Sequence, residues 1–295
     1  MALDAAGNVF VADNNSSSIL EIVNNGGSYG SVPAPVGSGL YVPTDVAFDA
    51  HGSLFVADTH NNAIEEFVYG GGIFSATPAP LGSTWSNPQG VAVDVSGNLF
   101  VADSVNHTVK ELMLNNGSYQ TTPTLVGPGI TSPVGAAVDF SGNVFIADSG
   151  SGNVEELAYN GGNYGGTPVP VNTVPLQASS VALDSSGNLF AVDTQFPSPP
   201  KLEEFVYSNG HYSSTSIVLT SAFRRIGGVA VDRNGNVFFC DQLGNAVREF
   251  VLSNGSYGSS PITVSSGYSN IRYLALDSRG RVYAGDISDL KVLTP

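Results

Sequence analysis

The sequence predicts an all-β fold: a seven-bladed β-propeller of four-stranded antiparallel blades, the last blade lacking its outer strand. Three observations predict it. Asp-x-x-Gly-x-x-aromatic recurs seven times, at Asp4, Asp49, Asp94, Asp139, Asp184, Asp232 and Asp277. Successive copies stand 45 residues apart, with one interval of 48, and a fixed period in this range marks a repeat architecture. Within each copy, short alternating or apolar runs are separated by turn residues, as in the blade of a propeller. Finally, the 295 residues include 35 glycines and 17 prolines and only 12% charged residues, a composition suited to many short strands joined by many turns.

The second copy shows the order of the elements. Val46-Ala47-Phe48-Asp49 reads as strand A and Asp49-Ala50-His51-Gly52 as a tight turn. Leu54 to Asp58 reads as strand B and Ile64 to Tyr69 as strand C. Gly70-Gly71-Gly72 then turns the chain into strand D, Ser75 to Leu81. The period runs the length of the chain, so residues 1–295 are read as one domain. The last copy stops in strand C at Lys291-Val292-Leu293 and the first opens inside strand A, from which we expect a natural chain that extends upstream, or closure by packing alone.

Positions that repeat carry the scaffold. Alanine stands two residues before each repeat aspartate, at Ala2, Ala47, Ala92, Ala137, Ala182, Ala230 and Ala275, as crowded inner strands require. Phe10, Phe55, Phe100, Phe145, Phe190, Phe238 and Tyr283 recur on strand B and are expected to pack blade on blade. The turn aspartates can accept backbone N–H groups while the glycine takes positive φ; each turn offers one carboxylate, too few oxygens for calcium. Pro33, Pro78, Pro123, Pro168 and Pro261 follow a recurring turn aromatic and place strand D at a blade edge. The strand C glutamates Glu21, Glu66, Glu111, Glu156, Glu204 and Glu249 are read as structural. Cys240 replaces an alanine of the repeat and reads as a small buried hydrophobe.

Charge and motifs narrow the function. The net charge is −15. Residues 1–200 hold one basic residue, Lys110, against seventeen acidic ones, whereas residues 201–295 hold nine against eight. So acidic and lysine-poor a chain is not expected to bind nucleic acid. No apolar run is long enough to insert in a membrane, and no signal peptide is visible. The single cysteine permits no internal disulfide. Gly-x-Ser-x-Gly, His-Glu-x-x-His and phosphate-loop motifs are absent, and neither a cofactor nor a metal is expected.

The consensus Pro-x-x-Val-Ala-Val-Asp-x-x-Gly-Asn-Leu-Phe-Val-Ala-Asp-x-x-Asn-x-x-Val-x-Glu-Phe stands almost complete in Pro88 to Leu112. It resembles the NHL-repeat propellers over essentially the whole chain, although Asn61-Asn62 and Asn106-His107 lack the usual arginine before strand C. The resemblance implies a bacterial binding or scaffolding propeller, similar to the sensor domains of receptor kinases. With the scarcity of lysine, it points to a monomer outside the cytoplasm: secreted, periplasmic or at the cell surface. Seven-bladed streptogramin lyases are similar in length, but their Trp-Phe-Thr-Glu is Phe-Val-Ala-Asp here, and no matching histidine and glutamate pair is found.

Function is expected where the copies differ. The D–A and B–C loops vary while the opposite turns do not, and variable loops on a rigid scaffold carry specificity. The insertion Gln195 to Lys201, the loop Phe223-Arg224-Arg225-Ile226 and the loop Tyr268-Ser269-Asn270-Ile271-Arg272-Tyr273 gather in the late copies. Lys201, Phe223, Arg224, Arg225, Tyr268, Arg272 and Tyr273 are therefore the candidate ligand-binding residues, for a small anion, a glycan or a protein partner. Guanidinium groups bind planar anions with two bonds; the alternative is that the arginines pair with Asp232, Asp241, Asp277 and Asp286. Trp85 and Tyr41 can stack on a sugar or peptide. A second function is a metal-dependent lactone hydrolase or lyase drawing on Asp45, Asn87, His60 and His107. A third is a structural module of a longer extracellular protein.

Overall fold

A computed structural model of the chain describes residues 1–14, 16–25, 28–29, 34–70, 73–161, 164, 166–171, 176–194, 197–213, 215–268, 271–276, 280–285 and 290–293. It is an all-β propeller. Six four-stranded sheets follow one another, each pairing its strands in chain order. Their first strands are Ala2–Leu3, Pro43–Phe48, Pro88–Val93, Pro133–Val138, Ala178–Leu183 and Ile226–Val231. The third blade is typical: strand A Pro88–Val93, strand B Leu99–Asp103, strand C Thr108–Leu112 and strand D Thr124–Gly127. Its pairing is antiparallel throughout, with Ala92 opposite Phe100 and Phe100 opposite Glu111. A bulge between Pro88 and Gly90 recurs at the same place in the second, fourth, fifth and sixth blades. It falls where the chain enters strand A and bends it.

Six blades form, not the seven expected. The seventh copy pairs Tyr273–Leu276, Val282–Gly285 and Leu290–Leu293 into a three-stranded sheet, and among the described residues no outer strand joins it. This copy also has a shorter hairpin. Val282 pairs with Leu293, eleven residues on, whereas Val237 pairs with Phe250, thirteen residues on. Counting repeats therefore overstated the number of blades. The chain packs as two compact units, Met1–Ser151 with Glu156–Val169, and Gly152–Glu155 with Pro170–Pro295.

Strand B explains the packing. In blades two to six all five of its residues are buried, because its two faces serve two different cores. Phe55 and Ala57 pack with Val91, Leu99 and Val101 of the next blade, while Phe100 packs with Val144 and Ile146 of the blade after. Phe10 joins Leu54 and Val56, and in the second unit Phe190 joins Val237 and Phe239. The recurring rings thus pack blade on blade as expected. Cys240 is buried in a core with Phe238, Val247 and Ala284, and burial pushes its thiol pKa up. The repeat alanines are only half-buried. The tighter approach is at Gly90, where a Cβ would stand 2.8 Å from the Gly135 Cα.

The turn aspartates do structural work. Asp94 accepts the N–H groups of Ser96 and Asn98, each at 2.8 Å, and the Asn98 side-chain amide at 2.9 Å. Asp139, Asp184 and Asp232 repeat the pattern. The asparagine passes the link on, since Asn98 Oδ1 accepts the N–H of Leu114. That residue opens a small hairpin, Leu114–Asn115 with Ser118–Tyr119, between strands C and D. The pattern of the sequence does not reveal this element. In the second copy strand C ends at Phe67, and Tyr69–Gly70 pairs with Ile73–Phe74 where a simple turn was expected. Tyr119 then donates its hydroxyl to Gly97 O at 2.8 Å and packs on Phe55 of the preceding blade. Pro78, Pro123, Pro168 and Pro261 each stand one residue before strand D; Pro33 lies outside the described residues.

Candidate functional site

Each strand B from the first blade to the sixth ends in an aspartate, and this residue holds the loops of the variable face. Asp58 accepts the N–H of Tyr41 at 2.7 Å and Asp103 that of Ser86 at 2.7 Å. Asp148 accepts Thr131 at 2.9 Å and Ser132 at 2.6 Å, and Asp193 accepts Gln177 at 3.0 Å. Burial alone would raise the Asp148 pKa, but the N–H groups of Ser132, Thr131 and Gly150 hold it below the usual carboxylate range. The sequence carried the signal in the recurrent Val-Ala-Asp, yet its role appears only once the D–A loop lies against it.

The same aspartates capture cations. Lys110 Nζ lies 2.6 Å from Asp103 and Arg248 Nη2 lies 2.8 Å from Asp241. Lys201, a candidate ligand residue, stands 3.6 Å from Glu203 and 4.0 Å from Asp193. In the sixth blade Asp241 also takes the N–H of Gly244.

The other candidates divide. Phe223 packs edge-on against Phe239 at 5.1 Å and lies under the Arg248 guanidinium. Tyr268 is buried in a core with Ile271 and Val282, and its hydroxyl meets Ser265. Tyr273 begins a strand opposite Gly285; its side chain lies outside the described residues. Arg224, Arg225 and Arg272 are exposed, and none forms an ion pair among the described residues. Of the carboxylates considered as their partners, Asp232 is bonded within its own turn and Asp241 to Arg248. Asp277 and Asp286 lie outside the described residues, as do Gln195 and Phe196 of the insertion and Ser269 and Asn270.

Backbone bonds bring two of the arginines to adjoining strands. Gln242 N–H donates to Arg225 O at 3.0 Å, and Gly228 N–H donates to Arg272 O at 2.9 Å. Between them lies Gly227, where a Cβ would stand 3.0 Å from Arg272 O, Cys240 Cβ and Gln242 Nε2 alike. The absence of a side chain there lets the two strand ends approach. Gly227 and Gln242 belong to this surface and were not among the sequence candidates.

The residues considered for metal chemistry are engaged separately in the first unit. Asp45 accepts the N–H groups of Val46 and Val91. Asn87 accepts the side-chain amide of Gln89. His60 packs against Tyr41, and His107 Nδ1 meets Thr131 O. No group of three metal-ligating side chains occurs among the described residues, and no described helix is long and apolar enough to cross a membrane.

Comparison with known proteins bears on the fold. The NHL repeat model matches residues 86–112. No curated protein matches the chain. Virginiamycin B lyase from Staphylococcus aureus superposes with a TM-score of 0.74 at 13% identity, covering 100% of this chain and 94% of the lyase. The extracellular domain of a hybrid two-component system from B. thetaiotaomicron gives a TM-score of 0.68 at 11% identity, covering 99% of this chain and 37% of that one. A gluconolactonase from Xanthomonas campestris gives 0.59 at 13% identity, covering 99% and 95%. At such identities the likeness concerns the fold alone. The third copy of the repeat, residues 86–112, is thus similar to the NHL repeat, and propeller sheets form before and after it.

Proposed function

We propose that this chain is a non-catalytic binding propeller, and that Arg224, Arg225 and Arg272 hold a small anion or the acidic segment of a partner. The observation that supports this most is the contrast within the second unit. Lys201 and Arg248 are taken up by Asp193, Glu203 and Asp241, while the three arginines stand exposed without such partners among the described residues. Exposed guanidinium groups on neighbouring loops suit a carboxylate or phosphate, which they meet through paired hydrogen bonds. The lyase and lactonase neighbours share the fold, but Asp45, Asn87, His60 and His107 are bonded locally and apart, which favours binding over chemistry. We place the protein outside the cytoplasm as a monomer, on its scarcity of lysine and its likeness to an extracellular sensor domain.

A thermal-shift series with inorganic phosphate, citrate and hexaglutamate tests the reading, since a ligand of the native state raises the melting temperature by mass action. An anion-dependent rise that disappears in the Arg224→Ala, Arg225→Ala, Arg272→Ala variant supports the site. An equal rise in that variant removes these arginines from it.

A further inference from the structure

A second surface, in the first unit, is independent of the arginines. An open cleft of about 380 Å³ lies between the outer strand of the first blade and the small hairpin of the second. Pro35 and Val36 form one side, Tyr69, Ile73 and Phe74 the other, and Glu21 reaches in from strand C of the first blade. The volume falls in the lower part of the range for small-ligand sites, roughly 300–1,000 Å³.

The cleft coincides with a break in the repeat. Where the second copy has Ile73, the others have Ser28, Ser118, Asn163, His211 and Ser256. Where it has Phe74, later copies have Tyr119, Tyr164, Tyr212 and Tyr257, each of which at Tyr119, Tyr164 and Tyr257 donates its hydroxyl to the turn glycine of its own blade. The second hairpin has exchanged a polar rim for an apolar one. Ile73 is 72% exposed and Tyr69 47% exposed, and Tyr69 lies 5.0 Å from Phe74, tilted against it. Nothing in the scaffold requires an isoleucine at so open a position.

Glu21 supplies the charge. Its carboxylate receives no hydrogen bond or ion pair among the described residues. Burial, with Asp4 nearby, pushes its pKa up, so an approaching cation relieves an unfavourable charge. A carboxylate beside aromatic faces and an apolar rim complements a cation on a methylene stem: the stem covers Ile73 and Val36, the head reaches Glu21 and the ring faces attract it. Guanidinium fits better than ammonium because it is planar, stacks on aromatic rings and pairs with a carboxylate through two bonds.

We propose that the cleft between the first and second blades binds an arginine side chain of a peptide partner, with Glu21 as the counter-charge and Tyr69, Ile73 and Phe74 as the contact surface. The chain's net charge of −15 draws cationic peptides towards it, and the cleft supplies the stereochemical fit.

The test is fluorescence anisotropy with a labelled Gly-Arg-Gly peptide, and with its citrulline analogue, in which guanidinium becomes a neutral urea of the same shape. The arginine peptide is expected to saturate and the citrulline peptide to bind about tenfold more weakly, the loss of one charge-assisted bond. Glu21→Gln and Ile73→Ser, the second restoring the residue of other copies, should each weaken the arginine peptide by a similar factor. Glu249→Gln removes the matching carboxylate of the sixth blade and should leave affinity within about twofold. Failure to saturate, equal binding of the citrulline peptide, or an equal loss in Glu249→Gln overturns the proposal, the last by reducing the binding to diffuse attraction.

Discussion

The position of Glu65 varies along the repeat. It is glutamate again at Glu155 and Glu203, but Lys110 in the third blade and Arg248 in the sixth, each paired with the aspartate that ends strand B. Glu65 instead sets a carboxylate near Asp58, and its Oε2 is buried with no hydrogen-bond partner among the described residues. Burial, then the charge on Asp58, pushes its pKa from 4.5 up to about 6. A carboxyl raised on folding contributes stability below its unfolded pKa, and that contribution is lost as pH rises through about 6. Melting temperature should therefore fall for wild type between pH 4.5 and pH 7 more than for Glu65→Gln. Glu65→Lys, copying the Lys110 pair, should melt higher than wild type at pH 7. Equal pH profiles for wild type and Glu65→Gln would show that the buried carboxylate carries no such penalty. The turn aspartates make a parallel case. Asp94→Ala frees two N–H groups and an amide, and urea unfolding should register a loss of about 1–3 kcal/mol.

Strands were legible because their patterns are chemical. The run Leu99-Phe100-Val101-Ala102 is apolar on both faces, and both faces are buried. Truncating such a ring leaves a cavity between blades, so Phe100→Ala should cost about 3–5 kcal/mol in an equilibrium melt. The small hairpins were harder to see. Their strands have two residues each, and Gly70-Gly71-Gly72 hides one behind a turn signal. What fixes them is remote in sequence: the Asn98 carbonyl on Leu114 and the Tyr119 hydroxyl on Gly97. Gly227 shows the same limit. Its neighbours come from two other segments, Arg272 from one and Cys240 with Gln242 from the other, and no local pattern marks it. Gly227→Ala should destabilise by about 1–3 kcal/mol through overpacking and shift the Arg272 backbone; unchanged stability would mean that the strand ends have room to spare.

For the whole molecule, period and composition revealed the propeller, but the number of repeats was not the number of blades. A blade needs a fourth strand, and the last copy, which stops in strand C at Leu293, was counted as a blade without one. The candidate site was partly legible for a related reason. Arginines stand out in an acidic chain, so Arg224, Arg225 and Arg272 could be picked from the sequence. Whether an aromatic beside them faces solvent or core depends on packing, and Tyr268 and Phe223 turn inward. The same holds for Lys201, which has Glu203 two residues on along its own strand but meets Asp193 only once the strands pair.

The most direct test of anion recognition is a calorimetric titration of hexaglutamate into wild type and into the triple Arg→Gln variant at positions 224, 225 and 272, across a range of salt. Wild type should bind with an affinity that falls as salt rises, because exposed charges are screened. The variant should bind at least about tenfold more weakly, as the loss of several charge-assisted bonds requires. Equal affinity and equal salt dependence in the two proteins would contradict the account and move the binding surface elsewhere.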